Sequence, residues 1–284
     1  MGLPLTWLDV FTSTPLAGNQ LVVVHDADGL DDDTMLAFAR ETRLSETTFV
    51  QRPTRDGADY RNRIFSSPGE MPFAGHPSLG TAVAVARARG EERAHYVQET
   101  HAGLQPIDVE LDGDVARATM LQEPPSFGTC PAPGDVMASA GLDAADAHPQ
   151  LPSQVVSTGV AHLLAPLAGV AALRRCAPSR AALGALLDPL GAALLYLVAL
   201  DLDAGTADAR GFFVDPAAIT EDPGTGSAAG PLLAYLHERA GTTALTVSQG
   251  TEIGRPSRIE CAWEDDRPRV SGDVVVVADG HVQL

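Results

Sequence analysis

Apolar and polar positions alternate in short runs between turn residues, a pattern of many strands and few helices. TWLDVFTS and QLVVVHD read as strands, and Gly18-Asn19 marks the turn between them. Asp31 to Asp33 sit where acidic residues suit the first turn of a helix over TMLAFARETR. ETTFVQ and YRNRIFSS follow as strands, then the loop PGEMPFAG and a helix from Pro77, a residue favoured in a first helical turn. HYVQETHAG, QPIDVELDG and VARATMLQE complete a strand-rich half with Asp-Gly turns. Past residue 123 the Pro/Gly-rich stretch EPPSFGTCPAPGD reads as a linker. The second half repeats the theme: VVSTGVAHLLAPL and ALLYLVALD are strands flanking an Ala/Leu-rich helical region, and RGFFVDP is another. LTVSQGTEIG, SRIECAWE and GDVVVVADGHVQL close the chain as strands. AALGALLDPLGAALLYLVAL fits helix and strand equally, and its composition says only that it is buried.

Two stretches are built alike. Gly75-His76-Pro77-Ser78-Leu79-Gly80 opens into TAVAVARARG, and Gly226-Ser227-Ala228-Ala229-Gly230 opens into PLLAYLHERAG. Each reads as a Gly-led loop feeding a helix that ends at a glycine, Gly90 or Gly241. A helix N-terminus presents unpaired N–H groups and the positive end of its dipole, so it can hold a carboxylate. The duplication points to two related halves and a small acidic ligand. Two unrelated helices that happen to begin with glycines are the plainer alternative.

Composition narrows the chemistry. The chain has 284 residues, 45% of them hydrophobic, enough for one large or two medium domains with real cores. No apolar run spans a bilayer and MGLPLTWLDVFTS lacks a basic start, so a cytoplasmic location is expected. A net charge of −18 argues against nucleic acid or an anionic membrane as partner. The three cysteines, Cys130, Cys176 and Cys261, form no CxxC pair and are expected to be reduced packing residues, and the histidines show no metal-ligand spacing. There is no lysine. Without it there is no Schiff base for pyridoxal phosphate or an imine-forming aldolase, and no Walker loop. GxGxxG, HExxH and GxSxG are absent too, which leaves cofactor-free acid/base chemistry as the economical choice.

Three titratable residues stand beside special backbone features: Glu46 in LSETTFV, His76 in FAGHP and Asp222 in EDPGTGSA. Glu46 falls where a helix hands over to a strand, and Asp222 precedes Pro223, which biases it toward an extended conformation. Carboxylates in an apolar cleft and an imidazole can relay protons on a ligand held by helix ends. Taken singly, each has a plainer role: a solvated Glu, a turn Asp, a capping His.

Together the motifs resemble the PhzF-like family of isomerases from phenazine biosynthesis, which has the diaminopimelate-epimerase-like fold. The matching runs keep their order along nearly the whole chain: DVFTSTPLAGNQLVVV, LSETTFV, RIFSSPGEMPFAGHPSLGTA, STGVAHLL, EDPGTGSAAGPLLAYL, SQGTEIGRPSRI and VSGDVVVVADGHVQL. The resemblance implies an α+β protein of two pseudo-symmetric domains, each a rolled mixed β-sheet around a central helix. The expected boundaries are 1–124, completed by 268–284, and 125–267, with the active site in the cleft between them. It implies no cofactor, a small carboxylate-bearing substrate and a homodimer. Glu46 takes the position of the glutamate that removes and returns a proton in the allylic isomerisation of a dihydro-hydroxyanthranilate. His76 and Asp222 match supporting acid/base residues. Gly75, Gly226 and Ser227 match substrate-holding positions, to which we add Asn19 of the Gly-Asn turn and Ser45 beside Glu46.

The amino-acid epimerases and racemases of this fold place a cysteine before each Gly-led helix, where this chain has Ala74 and Thr225. To the extent of that alignment, a two-cysteine racemase is excluded and a single-carboxylate proton shift is expected. In DPGTGSAAG, Gly224 replaces a larger residue and Ala229 replaces a frequent histidine, changes that bear on the substrate. The alternatives are a non-catalytic carboxylate-binding or regulatory protein, and a dehydratase or lyase acting on a hydroxy amino acid.

Overall fold

The computed structural model describes residues 2–214 and 219–284. The end of the expected RGFFVDP strand, at 215 and 216, lies outside the described residues. The chain divides into two compact units, one of Met1–Leu121 with Ser271–Leu284 and the other of Gln122–Val270.

The first unit contains β1 (Leu3–Val10), β2 (Asn19–Val24), α1 (Asp32–Thr42), β3 (Thr47–Gln51), β4 (Tyr60–Phe65), β5 (Glu70–Met71), α2 (Gly75–Arg89), β6 (Arg93–Thr100), β7 (Gly103–Asp112) and β8 (Val115–Leu121). The second contains β9 (Ser126–Phe127), α3 (Pro133–Ser139), β10 (Gln154–Ser157), β11 (Ala161–Pro166), α4 (Val170–Arg175), α5 (Arg180–Leu190), β12 (Leu195–Asp201), β13 (Thr206–Val214), β14 (Ile219–Asp222), α6 (Gly226–Ala240), β15 (Ala244–Gln249) and β16 (Ser257–Glu264). The last strand, β17 (Arg267–Val282), begins in the second unit and finishes in the first.

In the first unit β1 lies antiparallel to β2, β2 parallel to β3, β3 antiparallel to β4 and β4 parallel to β6. β6, β7 and β8 form an antiparallel meander, β8 pairs with β17, and β17 returns antiparallel to β1. The ring of strands therefore closes, and α2 fills it, with every residue from Gly75 to Ala86 buried. The all-round apolar, small-residue run TAVAVA suits a helix with no solvent face. In the second unit β9, β10, β11, β12, β13, β15 and β16 pair in succession, and β14 adds to β13. Here α6 is the buried helix, and Ser227 is the one residue from Gly226 to Leu236 that is not buried. Both buried helices end on left-handed glycines, Gly90 (φ 70°) and Gly241 (φ 67°).

Several readings of the sequence are refined. VVSTGVAHLLAPL is two antiparallel strands, β10 and β11, because Gly159 at φ 126° turns the chain between them. The Pro/Gly-rich stretch is more than a linker, since Ser126–Phe127 pairs with β10 and Pro133 opens α3. The ambiguous apolar segment splits at Gly191, helix before it and strand after. Cys176 and Cys261 are buried, but Cys130 is exposed and is no packing residue. Among the described residues no helix is long and apolar enough to cross a membrane.

Between β1 and β2 the chain passes through three left-handed residues, Phe11 (φ 66°), Leu16 (φ 68°) and Gly18 (φ 66°). Complete burial of the Phe11 ring and a 2.7 Å hydrogen bond from the Leu16 N–H to the Asp9 carboxylate hold the first two there. At Gly18 nothing larger fits, because a Cβ would lie 2.4 Å from the Val10 carbonyl oxygen. The turn delivers Asn19 to the start of β2. A left-handed alanine costs roughly 1–2 kcal/mol and overpacking a further ~1–3 kcal/mol. Gly18→Ala should therefore lose at least about 2 kcal/mol in urea unfolding; an unchanged midpoint would contradict this account of the turn.

Candidate active site

In the first unit the residues singled out from sequence converge on the first turn of α2. Glu46 stands between α1 and β3, after Arg43 has ended the helix in a left-handed conformation (φ 56°). Its Oε2 lies 3.5 Å from Nε2 of His76, and both atoms are shielded from solvent. The other edge of the imidazole faces β2, with Nδ1 3.2 Å from the Asn19 amide nitrogen and a hydrogen bond to the Gln20 backbone. Burial pushes the His76 pKa down to about 3, and the Gln20 bond only partly opposes it. The pair is thus a carboxyl group beside a neutral imidazole, not an ion pair. Gly75 is buried at the start of α2, and Ser45 is half-buried next to Glu46. Ala74 has no side-chain group to cap the helix, so the N–H groups of this first turn receive no cap from it.

The second unit carries a tightly bonded counterpart. Asp222 ends β14, opposite Gly211 of β13, and the preceding Glu221 takes a bidentate pair of hydrogen bonds from Arg210 at 2.9 and 2.7 Å. That pair fixes the register beside Asp222. The Asp222 carboxylate accepts a 2.5 Å hydrogen bond from the Thr225 hydroxyl, which is why Thr225, at the N-cap of α6, makes no cap bond with its side chain. Gln249 holds this turn closed. Its Nε2 donates to the Asp222 carbonyl (2.7 Å) and the Thr225 hydroxyl (2.9 Å), and its Oε1 accepts from the Thr225 N–H (3.1 Å) and the Tyr196 hydroxyl (2.9 Å). The crowding explains Gly211, where a Cβ would sit 3.0 Å from the Thr225 hydroxyl. Gly226 follows, its carbonyl held at 3.0 Å by Gln122, and the Ser227 hydroxyl lies 3.1 Å from Nε2 of His162.

Glu46, His76 and Asn19 thus form one group, and Asp222, Gly226 and Ser227 lie along one turn of the second unit. Sequence reasoning passed over Gln249 and His162. Gln249 had a signal in the Gln-Gly pair that ends a strand; His162 lay in the STGVAHLL run that carried the resemblance, but in an apolar strand it read as a core residue and was given no role. Among the described residues no group of three or more His, Cys, Asp or Glu is placed to hold a metal ion.

Comparison with known proteins agrees with this architecture. A family model for phenazine biosynthesis-like proteins, PhzC-PhzF, matches residues 8–280. A protein of Pseudomonas aeruginosa named trans-2,3-dihydro-3-hydroxyanthranilate isomerase is 36% identical over 288 residues, covering 98% of each chain. The crystal structure of a PhzF-family phenazine biosynthesis protein from Bacillus anthracis superimposes with a TM-score of 0.87 over 100% of both chains at 28% identity. A hydroxyproline epimerase from Agrobacterium vitis shares the fold, with a TM-score of 0.68 at 15% identity over 99% of this chain and 92% of its own. Two units built on buried, glycine-led helices, matched from end to end by isomerases of one family, place the chain in the PhzC-PhzF family of phenazine biosynthesis-like proteins.

Proposed function

We propose that this isomerase moves a proton along the carbon skeleton of a small unsaturated carboxylic acid by acid/base catalysis without a cofactor. Trans-2,3-dihydro-3-hydroxyanthranilate is the first candidate substrate, because relatives covering 98% of the chain carry its name. The observation that carries the proposal is the Glu46 carboxyl group set 3.5 Å from an imidazole that burial keeps neutral. With the imidazole neutral, the Glu46 carboxyl group can take a proton from carbon and return it.

On this assignment Glu46 removes the proton from a carbon next to the double bond. The C–H electron pair passes into the conjugated system, and the protonated Glu46 returns the same proton at the far end. One proton leaves and one returns, so no oxidant, reductant or leaving group takes part. His76 and Asp222 carry protons in the accompanying tautomerisation. The N-terminal turns of α2 and α6, at Gly75, Gly226 and Ser227, bind the substrate carboxylate, with Asn19 and Ser45 completing the binding set. Both groups of residues are assigned to one substrate, and the working species is a homodimer in the cytoplasm. Sedimentation should give about twice the 29.6 kDa chain mass.

Loss of a general base costs about 10²–10⁴ in rate. Glu46→Gln should therefore bind the candidate substrate but lose turnover in that range, together with the exchange of substrate hydrogen into D₂O seen by NMR. Full activity in this variant would remove Glu46 from the mechanism. Ser227→Ala should raise KM by roughly 10–150-fold, the worth of one hydrogen bond to a charged group, with kcat little changed. A kcat defect without a KM change would assign Ser227 to the chemical step instead.

The buried imidazoles also set a pH dependence of stability. His76 and His162 are both pushed down to about 3 by burial. The unfolded chain binds a proton on each below about pH 6.5, while the folded chain does not until about pH 3. The stability from burying them neutral is complete above pH 6.5 and is lost as pH falls, by about 1.4 kcal/mol per pH unit for each. Urea unfolding at pH 7 and pH 5 should show this loss, and His76→Gln should reduce it. Equal slopes for the wild type and the variant would mean that His76 is protonated in the folded protein.

A further inference from the structure

His162 is buried on β11, with only 2% of its surface exposed, and no step proposed above uses it. Its Nε2 lies 3.1 Å from the Ser227 hydroxyl, while its Nδ1 is buried with no hydrogen-bond partner among the described residues. Burial pushes its pKa down to about 3, so the ring carries one N–H and one lone pair. Nδ1 has no acceptor, and a buried orphan N–H is rarer in proteins than a buried orphan lone pair, so the N–H belongs on Nε2, donated to the Ser227 hydroxyl oxygen.

The proton therefore sits on Nε2, directed at Ser227, and the buried Nδ1 holds the lone pair. A serine in a first helical turn commonly spends its hydroxyl on nearby backbone. With the imidazole N–H donated to Oγ, the hydroxyl proton is left to point elsewhere. Ser227 is also the one residue from Gly226 to Leu236 that is not buried.

We propose that His162 is a positioning residue: its Nε2–H, donated to the Ser227 hydroxyl oxygen 3.1 Å away, aims the Ser227 hydroxyl proton at the substrate carboxylate. This rests on the assignment of Ser227 to carboxylate binding made above.

The test combines steady-state kinetics on trans-2,3-dihydro-3-hydroxyanthranilate with ¹⁵N NMR of the histidine rings. Ser227→Ala should raise KM by the roughly 10–150-fold given above and His162→Leu by roughly 2–12-fold, the worth of one neutral hydrogen bond, each leaving kcat within about two-fold. The double variant should be no worse than Ser227→Ala alone. His162→Gln, whose amide N–H reaches the place of Nε2–H, should restore KM. A His162→Leu enzyme with wild-type KM beside an impaired Ser227→Ala, or additive effects in the double variant, would overturn the proposal. If Ser227→Ala itself keeps a wild-type KM, the assignment of Ser227 to the carboxylate is what fails. The NMR arm needs neither substrate nor variant stability: wild-type His162 should be the Nε2–H tautomer from pH 5 to 8, and an Nδ1–H tautomer or a titration in that range would sink the idea.

Discussion

A helix enclosed by a sheet has lost its solvent face, and the first turn is then the place where its backbone N–H groups still lack an acceptor within the helix. Both buried helices of this protein begin without a side-chain cap. At α2 the capping position is Ala74, which has nothing to offer; at α6 it is Thr225, whose hydroxyl goes to Asp222 instead. A missing cap costs on the order of 0.5–2 kcal/mol. Two such omissions on the helices that fill the cores make sense if those donors serve a ligand. The rest of the structure is arranged around this constraint. Closed pairing in the first unit surrounds α2, small side chains let it fit, and glycines in left-handed conformation end both helices.

The same enclosure dictates the electrostatics. An imidazole at the first turn of a buried helix is stripped of water, and His76 is driven to the neutral form despite the Glu46 carboxyl group 3.5 Å away. His162 meets the same fate on β11. Burial thus turns two potential cations into directional hydrogen-bonding groups, each with one N–H and one lone pair. Asp222 in the second unit sits instead in a rigid frame. The Asp222 carboxylate is flanked by the Arg210–Glu221 pair on its strand and by the Gln249 amide, whose two donors and one acceptor are all engaged. A fully satisfied polar network of this kind is rigid, because each member is held by more than one neighbour.

How much of this was legible follows from what each residue needs locally. The two helices were readable from their bounding glycines, since a left-handed C-terminal residue leaves a mark in sequence at Gly90 and Gly241. Glu46, at a helix-to-strand junction, and Asp222, before a proline, were visible because backbone punctuation surrounds them. The hairpin between β10 and β11 was not, because a continuous apolar run conceals a turn whose only sign is Gly159. His162 was given no role for a related reason: its partner Ser227 is distant in sequence, and a histidine among leucines reads as core. The four bonds of Gln249 likewise come from elements that pair only in the folded sheet. Local chemistry marks the ends of elements, whereas the partners of a buried polar group are set by topology.

Thr225 stands where the resemblance leads one to expect a cysteine in racemases of this fold. A proton carrier at that position needs a side chain free to reach the substrate carbon, yet Thr225 is buried and bonded through its hydroxyl to both Asp222 and Gln249. Its role is to hold a carboxylate still, and Ala74 on the other helix has no acid or base to contribute. In the proposed mechanism the proton must then leave and return through Glu46 alone. A single group that removes and replaces a proton works on one face of its substrate, which is the geometry of an allylic shift; inversion of a stereocentre needs a donor on the opposite face. With neither Ala74 nor Thr225 able to carry a proton, the proposed mechanism leaves both steps of the shift to Glu46.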